Sequence, residues 1–186
     1  MQKWFDAYLA WLRQSPEGRA EAKAQNNHGT WYDVQIAAFA HFVGKSDIAK
    51  KVLSEMPNAR IAKQIEPDGS QPRELERTQA WSYSLFNLEA LFDAAAMASK
   101  LGIDLWSYES PDKRGIRKAL DWLAPYATGE RKWNHRQISG VRPEKLAPLL
   151  RRAAVRYREP AYEKAIDKLL KIRGDERWQL LYPTTP

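Results

Sequence analysis

The sequence predicts an all-α fold made of stacked helical hairpins, and two observations lead to this prediction. Two stretches, near residues 30–43 and 81–101, are apolar nearly all round, which is typical of buried helices. Amphipathic stretches lie between and after them, joined by short connections, so sequential helices are expected to pack as hairpins. No repeat with a consensus of fixed period is present, which disfavours tetratricopeptide-like arrays.

The length and composition predict a single α-helical domain over residues 1–186. The apolar share of 44% is ordinary for a globular protein, and 186 residues suffice for a core. No shift in composition marks an internal boundary.

Caps and breakers set the expected helices of the first third. The dipeptide Ser15-Pro16 supplies an N-cap and a first-turn proline. Gly44 ends the buried third helix, and Ser46 caps a fourth helix that runs to about Met56. The four expected helices begin near residues 4, 16, 30 and 46, and a shorter helix follows to about residue 64.

The rest of the chain alternates clear loops with further helices. The segment 66–72 contains two prolines and a glycine and is the clearest loop. After it we expect the second apolar helix, from Trp81 to Leu101. Ser110-Pro111-Asp112 predicts the start of a helix that runs to about Leu123. Helices are also expected after Pro143 and Pro160, with an ordered loop over 129–141.

The charge predicts an attraction to polyanions without naming one. Lys and Arg exceed Asp and Glu by 30 to 23, which gives a net charge of +7 and an isoelectric point near 9.6. Such a surface suits nucleic acid, an anionic membrane or an acidic polysaccharide. The densest basic cluster, 151–158, is expected to be a solvated helix face rather than a docking site.

Several classes of site are excluded by residue type and spacing. Cysteine is absent, which rules out disulfides and thiolate metal sites, and the three histidines lack the spacing of a zinc site. No glycine-rich phosphate loop and no Gly-x-Ser-x-Gly elbow is present. No apolar run is long enough to cross a bilayer, and the first residues lead into an amphipathic pattern rather than a signal peptide.

Four polar residues near the starts of the two apolar helices form the candidate catalytic set: Asn27, His28, Arg77 and Tyr83. Helix N-termini favour a bound carboxylate, and Asn and His can donate hydrogen bonds to it. The charged guanidinium of Arg can bind it through two parallel hydrogen bonds. A tyrosine, with an intrinsic pKa of about 10, acts as base only where nearby cations favour its phenolate. This set suits β-elimination from a 4-linked uronate, in which the proton beside the carboxylate leaves and the departing oxygen is protonated.

Two segments that carry this set resemble the alginate lyase superfamily. Gln25-Asn26-Asn27-His28-Gly29-Thr30-Trp31-Tyr32-Asp33-Val34-Gln35 is similar to its Asn-Asn-His segment. Arg73-Glu74-Leu75-Glu76-Arg77-Thr78, followed by Trp81-Ser82-Tyr83-Ser84, is similar to its Arg-then-Tyr segment. His28 precedes Arg77 by 49 residues and Tyr83 by 55, a separation like the family's. The closer resemblance is to polysaccharide lyase family 38, with family 5 more distant, and it extends to about Trp106.

The resemblance implies an incomplete (α/α) toroid that depolymerises alginate or a related polyuronate, with no metal or organic cofactor. Asn27 and His28, assisted by Arg77, would neutralise the carboxylate. Tyr83 would act as catalytic acid, and also as base where the proton and the leaving group lie on the same face of the sugar. For the opposite epimer, His28 would be the expected base. Each product would carry a 4,5-unsaturated uronate at its new non-reducing end.

Five further residues are candidate substrate contacts. Trp31 and Trp81 flank the expected cleft, although a core position is the alternative for each, since both lie at helix starts. Gln71 lies at the end of the loop at 66–72, and Arg73 follows it. His135 lies in a polar and aromatic loop that either borders a sugar subsite or is a plain surface loop.

The resemblance also bears on length and partners. Members of these families are about twice as long, with further helices and a secretion signal before the Asn-Asn-His segment. We therefore expect the chain to represent the C-terminal half of the toroid, as a truncated or split product or a shortened homologue. Apolar faces meant for the other half would be exposed, so self-association or a partner chain is expected. The family's substrates imply a periplasmic or secreted location, with no nucleic-acid or membrane partner.

Two other functions stay open on the sequence alone. A lyase with the same chemistry could act on glucuronan or a glycosaminoglycan, because several toroid lyases use similar Asn, His, Tyr and Arg residues. A helical polyanion-binding module without catalysis would also explain the charge and the short length. Salt-sensitive binding to DNA or heparin that survives His28→Ala would favour that second alternative.

Overall fold

The computed structural model describes residues 1–170 and 178–183, and over these ranges the protein is all-α. The predicted fold class of stacked helical hairpins is confirmed, since α3 packs on α4 and α9 packs on α10. A π-helical turn, Pro57–Ile61, links α4 to α5, and a 3-10 turn, Pro143–Leu146, precedes α9. The α-helices are α1 (Gln2–Gln14), α2 (Pro16–Lys23), α3 (Asn27–Phe42), α4 (Ser46–Met56), α5 (Ala62–Gln64), α6 (Pro72–Leu75), α7 (Ala80–Lys100), α8 (Ile116–Ala127), α9 (Ala147–Tyr157), α10 (Pro160–Leu170) and α11 (Trp178–Leu181).

Helices α3 and α7 form the centre of the fold and run in the same direction. Near their N-terminal ends, the rings of Trp31 and Phe86 lie 4.9 Å apart. Near their C-terminal ends, Ala37 lines a small cavity together with Met97 and Leu101. Both N-termini therefore lie on the same side of the protein, and the polar residues around these ends can meet there.

Helix α3 begins three residues earlier than the apolar pattern predicts. Asn26 is its N-cap, and the Asn26 Oδ1 atom accepts a hydrogen bond from the His28 backbone N–H at 3.2 Å. Asparagine is a preferred N-cap because its side-chain oxygen satisfies a free N–H of the first turn. Asn27 and His28 thus lie within the first turn of α3 rather than before it.

The predicted helix start at Ser110-Pro111-Asp112 is wrong, because α8 begins only at Ile116. The Ser110 hydroxyl accepts a hydrogen bond from the Arg114 backbone N–H at 2.9 Å, which closes a turn instead of a helix. Lys113 has a φ of 71°, in the left-handed region that ends right-handed helical structure. The chain becomes helical after Gly115.

The basic cluster 151–158 is not the uniformly solvated face that was expected. The Arg151 residue is only 6% exposed, and its Nη1 atom donates to the Glu163 Oε1 atom at 2.6 Å. Arg152 forms an ion pair with Asp93 at 2.8 Å. These contacts arise because α9 packs against α10 and lies near α7, which covers half of the cluster.

The loop 129–141 is held against the start of α7 by backbone hydrogen bonds. The Ala80 N–H donates to the Arg136 carbonyl at 2.9 Å, and the Ile138 N–H donates to the Thr78 carbonyl at 3.1 Å.

Across the described residues, no helix is both long and apolar enough to cross a bilayer.

Candidate active site

A cleft of about 570 Å³ opens at the side where α3 and α7 begin. Four of the residues singled out in the sequence line it, although they come from two distant segments: Asn27, His28, Trp31 and Tyr83. Its other wall comes from α1 and α2, which pack on α3. We refer to this feature as the cleft.

The segment that carries Asn27 and His28 is anchored from below by Arg60, which is 4% exposed. The Arg60 guanidinium donates to the Ala24 carbonyl at 2.6 Å, to the Ala22 carbonyl at 2.8 Å and to the Asp33 carboxylate at 2.7 Å. A charge buried in this way is stable only when its hydrogen bonds are satisfied, and Asp33 and the two carbonyls satisfy them. Arg60 thus fixes the backbone path into α3.

Gly29 is required for this anchor. A Cβ atom at this position would lie 2.3 Å from the Arg60 Nη1 atom and 2.2 Å from the Ala24 carbonyl oxygen. Both separations are far shorter than van der Waals contact, so any side chain would displace the guanidinium. The glycine that follows His28 in the sequence is explained by this close approach.

Asn27 is held by Glu74 through two hydrogen bonds. The Asn27 backbone N–H donates to Glu74 Oε1 at 2.6 Å, and the Asn27 Nδ2 atom donates to Glu74 Oε2 at 2.7 Å. Burial raises the pKa of the Glu74 carboxyl, while the bonds from Asn27 and the positive charge of Arg77 act in the opposite direction. A carboxylate only accepts, so it fixes the amide with its nitrogen toward Glu74 and leaves a second N–H for a ligand.

His28 is half-exposed and is oriented by a second carboxylate. Its Nδ1 atom lies 3.0 Å from the Glu21 Oε2 atom, and both residues line the cleft. When the Nδ1 nitrogen carries the proton for this bond, the neutral ring keeps Nε2 as a free acceptor. Glu21 therefore favours the tautomer in which His28 can accept a proton.

Tyr83 lies beneath a cation. The Arg77 guanidinium carbon is 4.2 Å from the centroid of the Tyr83 ring, a cation–π distance. Arg77 enters from the turn after α6, whereas Tyr83 is in the first turn of α7. The six-residue step between them is thus bridged by a non-helical segment, and the positive charge lies next to the phenol.

Aromatic rings form much of the remaining surface of the cleft. The Trp31 indole N–H donates to the Phe86 carbonyl at 3.1 Å, which fixes the ring beside that of Phe86. On the facing wall the rings of Tyr8 and Trp11 are stacked, with centroids 5.8 Å apart. Flat apolar faces beside hydrogen-bond donors are suited to a sugar, which has both apolar and polar faces.

Two of the predicted substrate contacts are wrong because they are buried. Trp81 is 1% exposed, and its indole N–H donates to the Arg142 carbonyl at 3.1 Å, so the ring offers no face to a sugar. Gln71 is also 1% exposed, and its amide bonds to the Ser84 carbonyl and to Asn87. Both serve the packing around α7.

The other two predicted contacts are exposed but lie outside the cleft. Arg73 borders a separate shallow depression next to Gln25 and Asn26. His135 packs beside the rings of Trp122 and Trp133, with centroids 5.9 and 4.9 Å away. A contact with a long polymer remains a prediction for both.

The structure adds residues that the sequence did not single out, above all Glu21 and Glu74. Phe86 lies three residues after Tyr83, a helical spacing that would have placed it on the same side of α7. No comparable signal distinguished Glu74, which lies within a segment of alternating charges. Among residues 1–170 and 178–183, no three His, Asp or Glu side chains come together as a metal site.

Comparisons with known proteins identify the family of the chain. The alginate lyase family model matches residues 1–133. A crystal structure of an alginate lyase from Bacteroides ovatus matches with a TM-score of 0.92 and 37% sequence identity. That match covers 100% of this chain and 50% of the Bacteroides enzyme, so the chain spans half the length of that relative. No curated protein matches the chain. The extent of the family match, together with this structural relative, shows that the chain belongs to the alginate lyase family.

Proposed function

We propose that this chain provides the catalytic cleft of a polysaccharide lyase that cleaves 4-linked uronic-acid polymers by β-elimination without a metal. One observation supports this most directly. An amide, an imidazole and a phenol meet in the same cleft, and a guanidinium lies 4.2 Å above the phenol ring. These groups match the three requirements of the reaction: carboxylate neutralisation, proton removal and proton delivery.

The carboxylate of the sugar would bind at the N-terminal turn of α3. The free N–H of Asn27 can donate a hydrogen bond there, the His28 ring can add one from Nε2 when it is protonated, and the helix dipole adds positive potential. Negative charge builds on this carboxylate as the neighbouring carbon loses its proton. Donors held in advance by Glu74 and Arg60 stabilise that charge without having to reorganise.

Tyr83 would protonate the departing glycosidic oxygen. The C–O bond to the leaving sugar breaks, a C=C bond forms between C4 and C5, and the C5 proton goes to a base on the enzyme. Where both events occur on one face of the sugar, Tyr83 also serves as that base, with the Arg77 guanidinium packed over its ring. For the epimer with the proton on the opposite face, His28 Nε2 is the base.

We further infer membership of polysaccharide lyase family 38, with alginate or polymannuronate as substrate and a periplasmic or secreted location. The two motif segments support the subfamily, and the net charge of +7 suits a polyanionic substrate. The neighbour from Bacteroides ovatus is described as an alginate lyase, which favours alginate over glucuronan.

We also propose that the other half of the toroid, or a second copy, covers an apolar patch at the outer end of α1. Trp4 is 63% exposed and Phe42 is 47% exposed, and both rings contact Phe5. Exposed rings that a third ring joins into one patch are typical of an interface. Sedimentation of the chain with Trp4→Ser and Phe42→Ser should show a loss of self-association if a second copy covers this patch.

The function is tested by the ultraviolet absorbance of unsaturated uronate on polymannuronate, polyguluronate and glucuronan. Removing the proton donor in Tyr83→Phe should lower kcat at least about a hundredfold. Tyr108→Phe removes a phenol outside the cleft and should retain activity. Product formation that persists in Tyr83→Phe would contradict the assigned proton donor.

If the chain alone forms no product, it should be joined to the half of the Bacteroides ovatus enzyme that it does not match. Activity of that chimaera, lost again in Tyr83→Phe, would indicate that the cleft needs its second half. A well-folded chimaera without activity on any of the three polymers would overturn the lyase proposal.

A further inference from the structure

We propose that a basic pocket next to the cleft is a second site for a sugar carboxylate, so that the polymer crosses Phe86 between the two. This pocket measures about 650 Å³ and lies between α7, the segment 139–149 and Tyr182. The inference rests on the proposed lyase function, and it assigns the direction in which the bound polymer extends. We refer to this site as the basic pocket.

The basic pocket and the cleft share one lining residue, Phe86. Phe86 is 44% exposed and lines both spaces. Ser82 and Glu89, which lie on the same side of α7 as Phe86, line the basic pocket. Tyr83 precedes Phe86 by three residues, so a sugar that reaches the phenol is one helical turn from the pocket.

The charge of the basic pocket fits a carboxylate. Three cations, Arg142, Lys145 and Arg152, line it with a single carboxylate, Glu89. Arg152 is already paired with Asp93 at 2.8 Å. Within the described part of the chain, Arg142 and Lys145 are exposed and no acidic group lies within ion-pair distance of either. The charge of Lys145 acts on the Glu89 carboxyl without a direct ion pair, so Arg142 and Lys145 are the cations that a ligand can engage.

The two sites differ in what they offer a polymer. The cleft contains the groups needed for chemistry and carries the carboxylates Glu17 and Glu21 on its α2 wall. The basic pocket contains no acid–base pair of that kind but offers two long cationic side chains. A uronate polymer carries one carboxylate per sugar, so a chain bound in the cleft would present another carboxylate to the pocket. The expected ligand is therefore the same polyuronate, one or more sugars away from the cleaved bond.

The test measures binding without turnover, in the Tyr83→Phe background, by titration calorimetry at low salt. The probes are oligomannuronates and oligoglucuronates of two, four and six sugars, with cellohexaose as a neutral control. Replacing Arg142 and Lys145 together by Gln should weaken hexamer binding about five- to tenfold and leave dimer binding unchanged. The matched control, Lys50→Gln with Lys51→Gln, removes two exposed cations of α4 and should leave both affinities unchanged.

Several outcomes would overturn the basic pocket as a subsite. These are an unchanged hexamer affinity, an equal loss for dimer and hexamer, or no gain in affinity with length for either series. A duplex DNA oligonucleotide that binds as tightly as the hexamer, and loses as much in the double variant, would indicate a general polyanion surface instead. Failure of the proposed lyase function can be distinguished from failure of this subsite. If the unsubstituted chain carries out no elimination, the dependence of binding on oligomer length can still be measured.

Discussion

The cleft and the basic pocket meet at Phe86, yet they hold their polar groups in different ways. In the cleft, Asn27 and His28 each contact a carboxylate at 3.0 Å or less. In the basic pocket, Arg142 and Lys145 extend into solvent. Catalytic donors must be in place before the charge develops, whereas a subsite for a flexible polymer gains from adaptable cations. In this protein, hydrogen bonds that fix polar side chains are concentrated at the cleft, where chemistry is expected.

The largest effect should follow from removing the anchor beneath the cleft. Arg60→Met would leave the buried Asp33 carboxylate and two carbonyls unpaired, and we expect the free energy of unfolding to fall by about 3–5 kcal/mol. Urea denaturation followed by circular dichroism measures this change. Arg19→Met, at an exposed position of α2, is the matched control and should be nearly neutral. A loss below about 1 kcal/mol in Arg60→Met would show that the cleft is not held more firmly than the pocket.

A second substitution should loosen Asn27, one of the proposed catalytic donors, and keep the fold. In Glu74→Gln the amide can accept only one of the two hydrogen bonds from Asn27, so kcat should fall about ten- to a hundredfold. Glu76→Gln, an exposed position two residues later, is the control. Equal kcat values for Glu74→Gln and the unsubstituted chain would remove Glu74 from the positioning network.

The effect of Glu74→Gln on kcat is also expected to depend on pH. Because burial raises the pKa of Glu74, this carboxyl takes up a proton at a higher pH than an exposed glutamate does. A protonated Glu74 carboxyl, like the side chain of Gln, keeps only one oxygen that can accept a hydrogen bond from Asn27. The ratio of kcat between the unsubstituted chain and Glu74→Gln should therefore shrink as the pH falls through the raised pKa. A ratio that stays constant across the acidic range would contradict this linkage.

A smaller effect is expected at His28, whose partner is half-exposed. Glu21→Gln retains a hydrogen-bond acceptor for Nδ1 but removes the charge, so kcat should fall no more than about fivefold. Glu17→Gln, on the same wall of the cleft, is the matched control. A fall beyond about a hundredfold would assign Glu21 a direct part in proton transfer.

The smallest expected effect is the difference between the cleft and the basic pocket in their response to added salt. Exposed cations are screened by added ions, whereas the buried contacts of Asn27 with Glu74 are not. Raising sodium chloride from about 50 to 200 mM should increase KM for polymer a few-fold and leave kcat nearly constant. A fall in kcat with unchanged KM would place the salt-sensitive charges in the cleft instead.

The sequence predicted the fold class because the apolar composition of α3 and α7 is local information. It also predicted which motif residues belong together, since the two segments carry Asn27, His28 and Tyr83 in a recognisable order. It could not distinguish Trp31 from Trp81, because both lie at helix starts. The loop 129–141 decides this point, since its Trp133 ring lies 5.2 Å from that of Trp81 and helps to bury it.

The sequence could not distinguish Glu74 from Glu76 either. Both lie in the same charged segment, but Glu74 is 1% exposed and Glu76 is on the surface. The partner that separates them, Asn27, is 47 residues away in the chain. Local pattern carries no information about such a pairing, so the supporting residues of the site had to come from the structure.

Arg60 reaches its three partners from the π-helical turn Pro57–Ile61, where the helix accommodates one residue more than α-helical geometry allows. Deleting one of the three residues before Arg60 in this turn would remove the π-helical insertion and would rotate Arg60 by about 100° around the helix axis. Every motif residue would still be present, yet the backbone that carries Asn27 and His28 would lose its support. In homologues of this chain, the number of residues between α4 and α5 is therefore as informative about an intact site as the motif itself.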